Sequence, residues 1–219
     1  MADSTVTSRE MTASSRENFD KVFAQLQDDG LLLMSELVYL ITNERIRGSW
    51  WSHELAQTIF NVSEMLEDHH DVLIMKLISA KVTFVHRELW NHIYSIGVAR
   101  EDWQVKKLSP KARRYLKIID AAGSLQTAKG RNWPGPIPAD VANELESRVL
   151  IHTEQIHTES GKHARLIETW DAWAIRASFR AHANDPVAAR HVLEQRLALI
   201  NEKHDGRGKL PWPSTLSNT

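Results

Sequence analysis

The sequence predicts a mainly α-helical protein that contains one β-hairpin. Apolar residues recur at three- and four-residue spacing through most of the chain, which is the period of a helix with one buried face. Between residues 72 and 85 the pattern changes to β-branched and aromatic runs, which favour strands. A segment rich in proline and glycine at 128–138 indicates a linker between a first unit, 19–127, and an α-helical second unit, 139–204.

The composition excludes several classes of protein. The 219 residues include no cysteine, which removes thiolate catalysis and cysteine-ligated metal centres and fits a reducing compartment such as the cytoplasm. The apolar runs are far shorter than the roughly 20 residues that span a bilayer, so no membrane partner is expected. Residues 1–18, rich in serine and threonine, predict a disordered tail, with organellar import as the weaker alternative. Residues 205–219 form a second tail, rich in glycine and proline.

Capping residues and apolar periodicity set the predicted helices. Asparagine, aspartate or serine stands where several of them begin, and glycine closes two of them. The clearest start is Ser109-Pro110, because serine caps a helix and proline suits its first position. The apolar segment 31–41 fits either a further helix or a short strand with a turn. The predicted helices cover residues 19–29, 52–67, 88–96, 111–122, 140–179 and 186–202.

The predicted hairpin consists of two extended runs, 72–78 and 82–85, on either side of residues 79–81. This connection holds no glycine or asparagine, so one continuous helix over 61–96 is the alternative. Three helices, a hairpin and then a basic helix form an order that resembles the winged helix-turn-helix arrangement. In that arrangement one helix enters the major groove of DNA and the hairpin touches the backbone.

The resemblance covers residues 19–96 and rests on the order of the elements. It implies that the helix over 52–67 occupies the recognition position. That helix offers His53, Gln57 and Asn61 as base contacts. Its four acidic side chains oppose phosphate, and they are Glu54, Glu64, Glu67 and Asp68.

Charge is sorted along the chain. Residues 1–80 carry 6 Lys/Arg against 13 Asp/Glu, whereas residues 81–132 carry 11 against 4, although the whole chain has a net charge of only −1. A concentrated basic stretch favours a nucleic-acid partner held by phosphate contacts. The alternative is that these side chains solvate the outer face of a buried helix.

Two adjacent tryptophans flanked by arginine suit stacking on a base. The alternative is that one tryptophan lies in the core and the other at an internal interface. The predicted nucleic-acid-binding residues are Arg45, Arg47, Trp50, Trp51, Lys106, Lys107, Lys111, Arg113, Arg114, Lys117, Lys129 and Arg131.

A second hypothesis is an enzyme, of hydrolase or glycosylase type, with or without a metal ion. A helix over 140–179 would align His152, Glu159 and His163 on one apolar stripe, as candidate catalytic or metal-binding residues. The alternatives are that these groups hydrogen-bond each other between helices, or that Ser160-Gly161 breaks the helix. No recognised zinc, serine-hydrolase or phosphate-loop motif is present, and no cofactor is predicted. The third hypothesis is a helical protein-interaction module, for which a homo-oligomer is an open option.

Overall fold

The computed structural model describes residues 13–126, 137–157 and 163–214. Within these ranges the chain is mainly helical and holds two three-stranded antiparallel sheets. None of the described helices is long and apolar enough to cross a bilayer. The elements in chain order are α1 (Ala13–Asp29), β1 (Leu31–Leu33), α2 (Met34–Thr42), α3 (Ala56–Glu67), β2 (Val72–Lys76), β3 (Val82–His86), α4 (Trp90–Ala99), α5 (Asp102–Val105), α6 (Pro110–Ala122), β4 (Ser124–Gln126), α7 (Ala139–Glu146), β5 (His152–His157), β6 (His163–Glu168), α8 (Trp170–Arg176) and α9 (Pro186–His204).

Most of the predicted helices are confirmed, with shifts at their ends. Ser109 caps α6, because its Oγ accepts a hydrogen bond from the backbone N–H of Ala112 at 3.1 Å. Asp185 caps α9 in the same way, accepting from two backbone N–H groups. Helix α1 begins at Ala13, so residues 13–18, predicted to belong to a disordered tail, are helical.

The hairpin is confirmed, and the alternative of a single helix over 61–96 is wrong. Strands β2 and β3 pair antiparallel, with Leu73 opposite Val85. Their connection is longer than predicted, because β2 ends at Lys76 and the chain then forms a tight turn over residues 78–81, in which the N–H of Lys81 donates to the carbonyl of Ile78 at 3.0 Å. The ambiguous segment 31–41 divides into β1, which pairs with β3, and most of α2.

The long helix predicted over 140–179 is wrong. The chain forms α7 there, then the hairpin of β5 and β6, and then α8. Val149, Leu150 and Ile151 are all buried in succession, which a helix with one apolar face cannot achieve. Val149 also has a φ of 55°, which ends the helical path. Polar residues dominate β5, so pairing with β6 and burial decide its conformation rather than intrinsic strand preference.

The second half of the chain repeats the topology of the first. From α1 to β3 the order is helix, strand, two helices, strand, strand. From α6 to β6 it is the same, except that the described residues hold one helix, α7, in the place of α2 and α3. The two sheets have the matching orders β1-β3-β2 and β4-β6-β5. In both halves a glycine with positive φ follows the first helix, 75° at Gly30 and 72° at Gly123. Its carbonyl accepts a backbone N–H from the residue at or just after the end of the last strand, His86 at 2.9 Å and Thr169 at 2.8 Å. The two halves therefore share backbone hydrogen bonds as well as element order.

Helix α7 corresponds to the last two turns of α3. Val62 and Leu66 of α3 and their counterparts Val141 and Leu145 of α7 are all buried. The backbone bond that ends each helix also recurs, at 2.9 Å in both. This repeat explains why a hairpin follows α7, as one follows α3.

Two hydrophobic clusters lie inside the halves and a third joins them. The joining cluster combines α4 with α8 and α9, and Trp90 meets Trp173 edge to face with ring centroids 5.1 Å apart. Trp212 is 5% exposed in this cluster and Leu210 packs against it, so part of the segment predicted to be a tail packs on the core. Residues 127–136, which hold most of the predicted linker, lie outside the described residues, and the unit boundary stays a prediction.

Close packing at the joining cluster gives the first prediction. A Cβ atom at Gly97 would lie 2.1 Å from Cδ1 of the buried Trp170 indole. We expect Gly97→Ala to lower the free energy of unfolding by about 1–3 kcal/mol, because the indole has no free volume to enter. Urea denaturation followed by circular dichroism measures this change.

A double-mutant cycle with Trp170→Phe identifies the cause. The smaller ring of phenylalanine lacks the indole Nε1 that a Cβ at Gly97 would meet at 2.2 Å. Gly97→Ala should therefore lower the free energy of unfolding less in the Trp170→Phe background. Additive effects of the two substitutions would contradict the packing explanation.

Candidate functional site

The predicted basic stretch runs over α5, α6 and the turn between them. Lys111, Arg114 and Lys117 follow one another at three-residue spacing on the exposed side of α6. Because three residues advance a helix by about 300°, these side chains fall within about a third of the circumference. Leu116 and Ile119 on the opposite side are buried. The sequence therefore places three cations side by side on an amphipathic helix.

Two of the predicted cations have acidic partners, and both pairs are exposed. Lys106 lies 3.9 Å from Asp102, and Lys111 lies 3.4 Å from Asp140. Exposed pairs of this kind contribute about 0–1 kcal/mol and open readily for a competing anion. They therefore leave both lysines able to meet a phosphate.

Arg113 has a structural role that the sequence did not indicate. Its Nε and Nη2 donate to the carbonyls of Leu108 and Lys106 at 3.2 and 2.8 Å, which ties the turn to α6. Lys107, Arg114 and Lys117 differ from it, since their side chains make no hydrogen bond or ion pair with the described part of the chain. Lys129 and Arg131 lie outside the described residues.

The second predicted group of contacts lies before α3. Residues 50–52 form a 3₁₀ turn, in which the rings of Trp50 and Trp51 stack with centroids 4.1 Å apart. Trp51 is 62% exposed, and Arg47 is also exposed. Among the described residues, no hydrogen bond, ion pair or ring contact joins this group to α6.

The structure does not bring together the three residues of the enzyme hypothesis. Glu159 lies outside the described residues. His152 and His163 stand at opposite ends of the β5–β6 hairpin, because His152 pairs with Glu168 whereas His163 pairs with His157. Five residues at about 3.3 Å each separate the two ends by roughly 17 Å. The shared helical stripe is wrong because the segment forms strands.

His152 belongs instead to a buried ionic cluster that sequence reasoning missed. Its Nδ1 lies 3.5 Å from Oε2 of Glu168, and the two side chains are 4% and 3% exposed. Arg176 donates from Nε to both carboxylate oxygens of Glu168 at 3.0 Å, and its Nη2 reaches Glu154 at 2.5 Å. These groups meet across a hairpin and from the following helix, so no local motif signals them.

The cluster sets the protonation of Glu168. Burial acts to raise the pKa of its carboxyl, but the nearby His152 ring and the hydrogen bonds from Arg176 outweigh burial. The pKa is therefore lowered from the usual 4.5, and the carboxylate stays charged in the folded protein at neutral pH. Glu168 therefore belongs to a structural ion pair, and its charge is stabilised by several neighbouring groups.

Two groups of described residues have enough donors for a metal ion, and neither is arranged as a metal centre. In the first, His152, Glu154 and Glu168, the guanidinium of Arg176 already holds both carboxylates. A bound cation there would have to displace it. The described clusters therefore give no support to a metal-assisted enzyme.

The second group is His69, His70 and Asp71 at the end of α3. His69 Nδ1 accepts the backbone N–H of Asp71 at 3.2 Å, which places the ring proton of the neutral imidazole on Nε2. A protonated nitrogen cannot coordinate a metal ion. Arg87 also lies 3.5 Å from the Asp71 carboxylate and competes for it.

Comparison of the chain with protein-family models, with curated proteins and with solved structures finds no match. A functional assignment therefore has to come from the side chains themselves. Of the predicted sites, the basic side of α6 is the one whose residues the structure brings together on one surface.

The ionic cluster predicts a dependence of stability on pH. Because the pKa of Glu168 is lower in the folded than in the unfolded protein, its stabilising contribution is complete above pH 4.5 and is lost as the pH falls through the folded-state value. We expect Glu168→Gln to lower the free energy of unfolding at pH 7 by about 1–3 kcal/mol. It should also weaken the loss of stability in acid.

Glu154→Gln is the matched control. Its carboxylate is 37% exposed, so its pair with Arg176 contributes about 1 kcal/mol or less. Urea denaturation between pH 3 and 7 compares the two variants. Equal effects would show that the buried carboxylate has no special part in acid stability.

Proposed function

We propose that the protein binds nucleic acid through the exposed basic side of α6, with Lys107, Lys111, Arg114 and Lys117 contacting phosphates. The observation that carries this proposal is the alignment of the last three on one face of a helix. Arg114 and Lys117 make no side-chain bond with the described part of the chain, so both are free to contact a ligand. We call these four residues the basic face.

The acidic first third of the chain does not neutralise the basic face. Among the described residues, the ion pairs of the cations between positions 106 and 117 go to Asp102 and Asp140, and none goes to a carboxylate before residue 80. The basic side chains of this segment therefore stay separate from the acidic first third in the folded protein. Such a row of cations, in which the described ion pair of Lys111 is exposed, attracts a polyanion and releases its counterions on binding.

The topology of the first half supports a winged-helix-like arrangement. Helices α1, α2 and α3 precede a hairpin whose last strand lies between the other two. Helix α3 in the recognition position carries Glu64 and Glu67, both exposed, and its counterpart α7 carries Glu144, which is half-buried. These carboxylates repel phosphate, so the proposal assigns binding to backbone contacts by the basic face and predicts little sequence preference.

Salt dependence and charge reversal test the basic face. We expect affinity for a 20-base-pair duplex to fall steeply with salt, with a slope of log K against log salt of about −3 for three to four phosphate contacts. Arg114→Glu with Lys117→Glu should weaken binding at least tenfold and reduce that slope by about 2. Fluorescence anisotropy at several salt concentrations measures both quantities.

A variant with the same change in charge serves as the control. Arg16→Glu with Arg180→Glu alters two exposed arginines outside the basic face and should bind nearly as well as the unmodified protein. An equal loss of affinity in both variants would show that net charge, and not the basic face, determines binding. Unchanged binding by the α6 variant would end the proposal.

The stacked tryptophans supply a second contact in this proposal. Trp51 presents one ring face to solvent and rests its other face on Trp50, which suits stacking on an unpaired base. We expect Trp51→Ala to weaken binding to single-stranded oligothymidine about tenfold and binding to a duplex much less, because duplex bases are not free to stack. Trp51→Phe keeps a π face and should retain most of the affinity. Equal losses on both nucleic acids would contradict stacking.

A further inference from the structure

A cleft of about 440 Å³ lies where the turn between β2 and β3 meets the end of α9. Its walls come from α2, from residues 45–46, from the turn at 78–81 and from residues 197–208. The size is within the range of small-ligand sites, roughly 300–1,000 Å³. None of its lining residues belongs to the basic face, so this cleft is a separate feature of the molecule.

Three permanently charged cations from three separate segments line the cleft, namely Arg45, Lys81 and Arg207. Arg45 is held in place, since its Nη2 donates to the carbonyl of His204 at 3.3 Å and its guanidinium lies 5.6 Å from the ring centre of Tyr39. The side chains of Lys81 and Arg207 make no hydrogen bond or ion pair within the described ranges. Lys81 and Arg207 therefore have N–H donors at the cleft that bind no described residue.

The carboxylates of the cleft do not cancel these charges. Glu36 accepts the backbone N–H of Leu33 at 2.8 Å and lies 4.0 Å from the ring of His204. Asp205 is the other carboxylate in the lining, and it is exposed. Among the described lining residues, three fixed cations thus face two carboxylates, and the carboxylate of Glu36 is already hydrogen-bonded. His204 is a fourth cation when it is protonated. The balance favours an anionic ligand.

The backbone beside Lys81 is strained and held from outside. Ser79 and Ala80 have φ values of 51° and 56°, a left-handed conformation that is unfavourable for side chains with a Cβ. Ser79 donates its backbone N–H to the carbonyl of Lys209 at 2.7 Å and accepts the N–H of Lys209 on its Oγ at 3.1 Å. Strain that the surrounding structure maintains is typical of ligand sites.

We propose that this cleft binds a phosphate group through Lys81, Arg207 and the pre-oriented Arg45. Guanidinium and ammonium groups form strong charge-assisted hydrogen bonds with phosphate oxygens. The phosphate belongs either to a small phosphorylated ligand or to the end of a nucleic-acid strand. The inference is independent of the proposed function, because the two sites share no residue.

Isothermal titration of the full chain with pyrophosphate tests the site. Each of Lys81→Ala and Arg207→Ala should weaken pyrophosphate binding about tenfold, because each removes a charge-assisted bond. Both side chains are exposed and unpartnered within the described ranges, so the variants are expected to fold normally. Arg180→Ala, at an exposed arginine outside both the cleft and the basic face, is the matched control and should bind pyrophosphate like the unmodified protein.

Two outcomes overturn the proposal. One is the absence of pyrophosphate binding, and the other is an equal loss in Arg180→Ala, which would assign binding to general positive charge. A second titration compares oligonucleotides with a 5′-phosphate and a 5′-hydroxyl. Tighter binding of the phosphorylated strand, lost in Lys81→Ala, identifies a strand end as the source. Equal binding of the two strands identifies a small phosphorylated ligand.

Discussion

The aromatic contact between the two halves of the molecule is the interaction on which the rest depends. Trp90 and Trp173 meet edge to face in a cluster that also takes in α9 and Trp212. Each half has its own smaller core, but this shared cluster fixes how the halves lie against each other. Gly97 is part of the same constraint, because only a residue without a Cβ allows the Trp170 indole to approach α4 so closely.

The repeat explains how two different surfaces arise from one topology. The first helix of each half buries one side, with Leu26 and Ile119 at corresponding positions. Their outer sides differ, since α6 carries three aligned cations whereas α1 mixes acidic and basic residues. The fold is thus shared by the two halves, and the surface charge that the proposed function requires belongs to the second half alone.

Local signals in the sequence predicted the first half and helix α6 well, and the segment from α7 to α8 poorly. The Ser109-Pro110 cap and the β-branched runs of β2 and β3 depend on neighbouring residues, which is why they could be recognised. The strands β5 and β6 are rich in polar and charged residues, and only their pairing makes them strands. For the same reason the contact between His152 and Glu168 could not be predicted, because it joins residues that the chain separates by a hairpin. The cations of α6 were predicted as a site, whereas the anchoring of Arg113 on backbone carbonyls was not.

The packing of the C-terminal segment has a consequence for synthesis on the ribosome. Lys209 holds the strained turn at Ser79, and Trp212 donates its indole N–H to Glu194 at 2.9 Å. Lys209 leaves the exit tunnel 130 residues after Ser79. The hairpin turn in the first half therefore gains its last hydrogen bonds only after helix α9 and the segment that follows it have emerged.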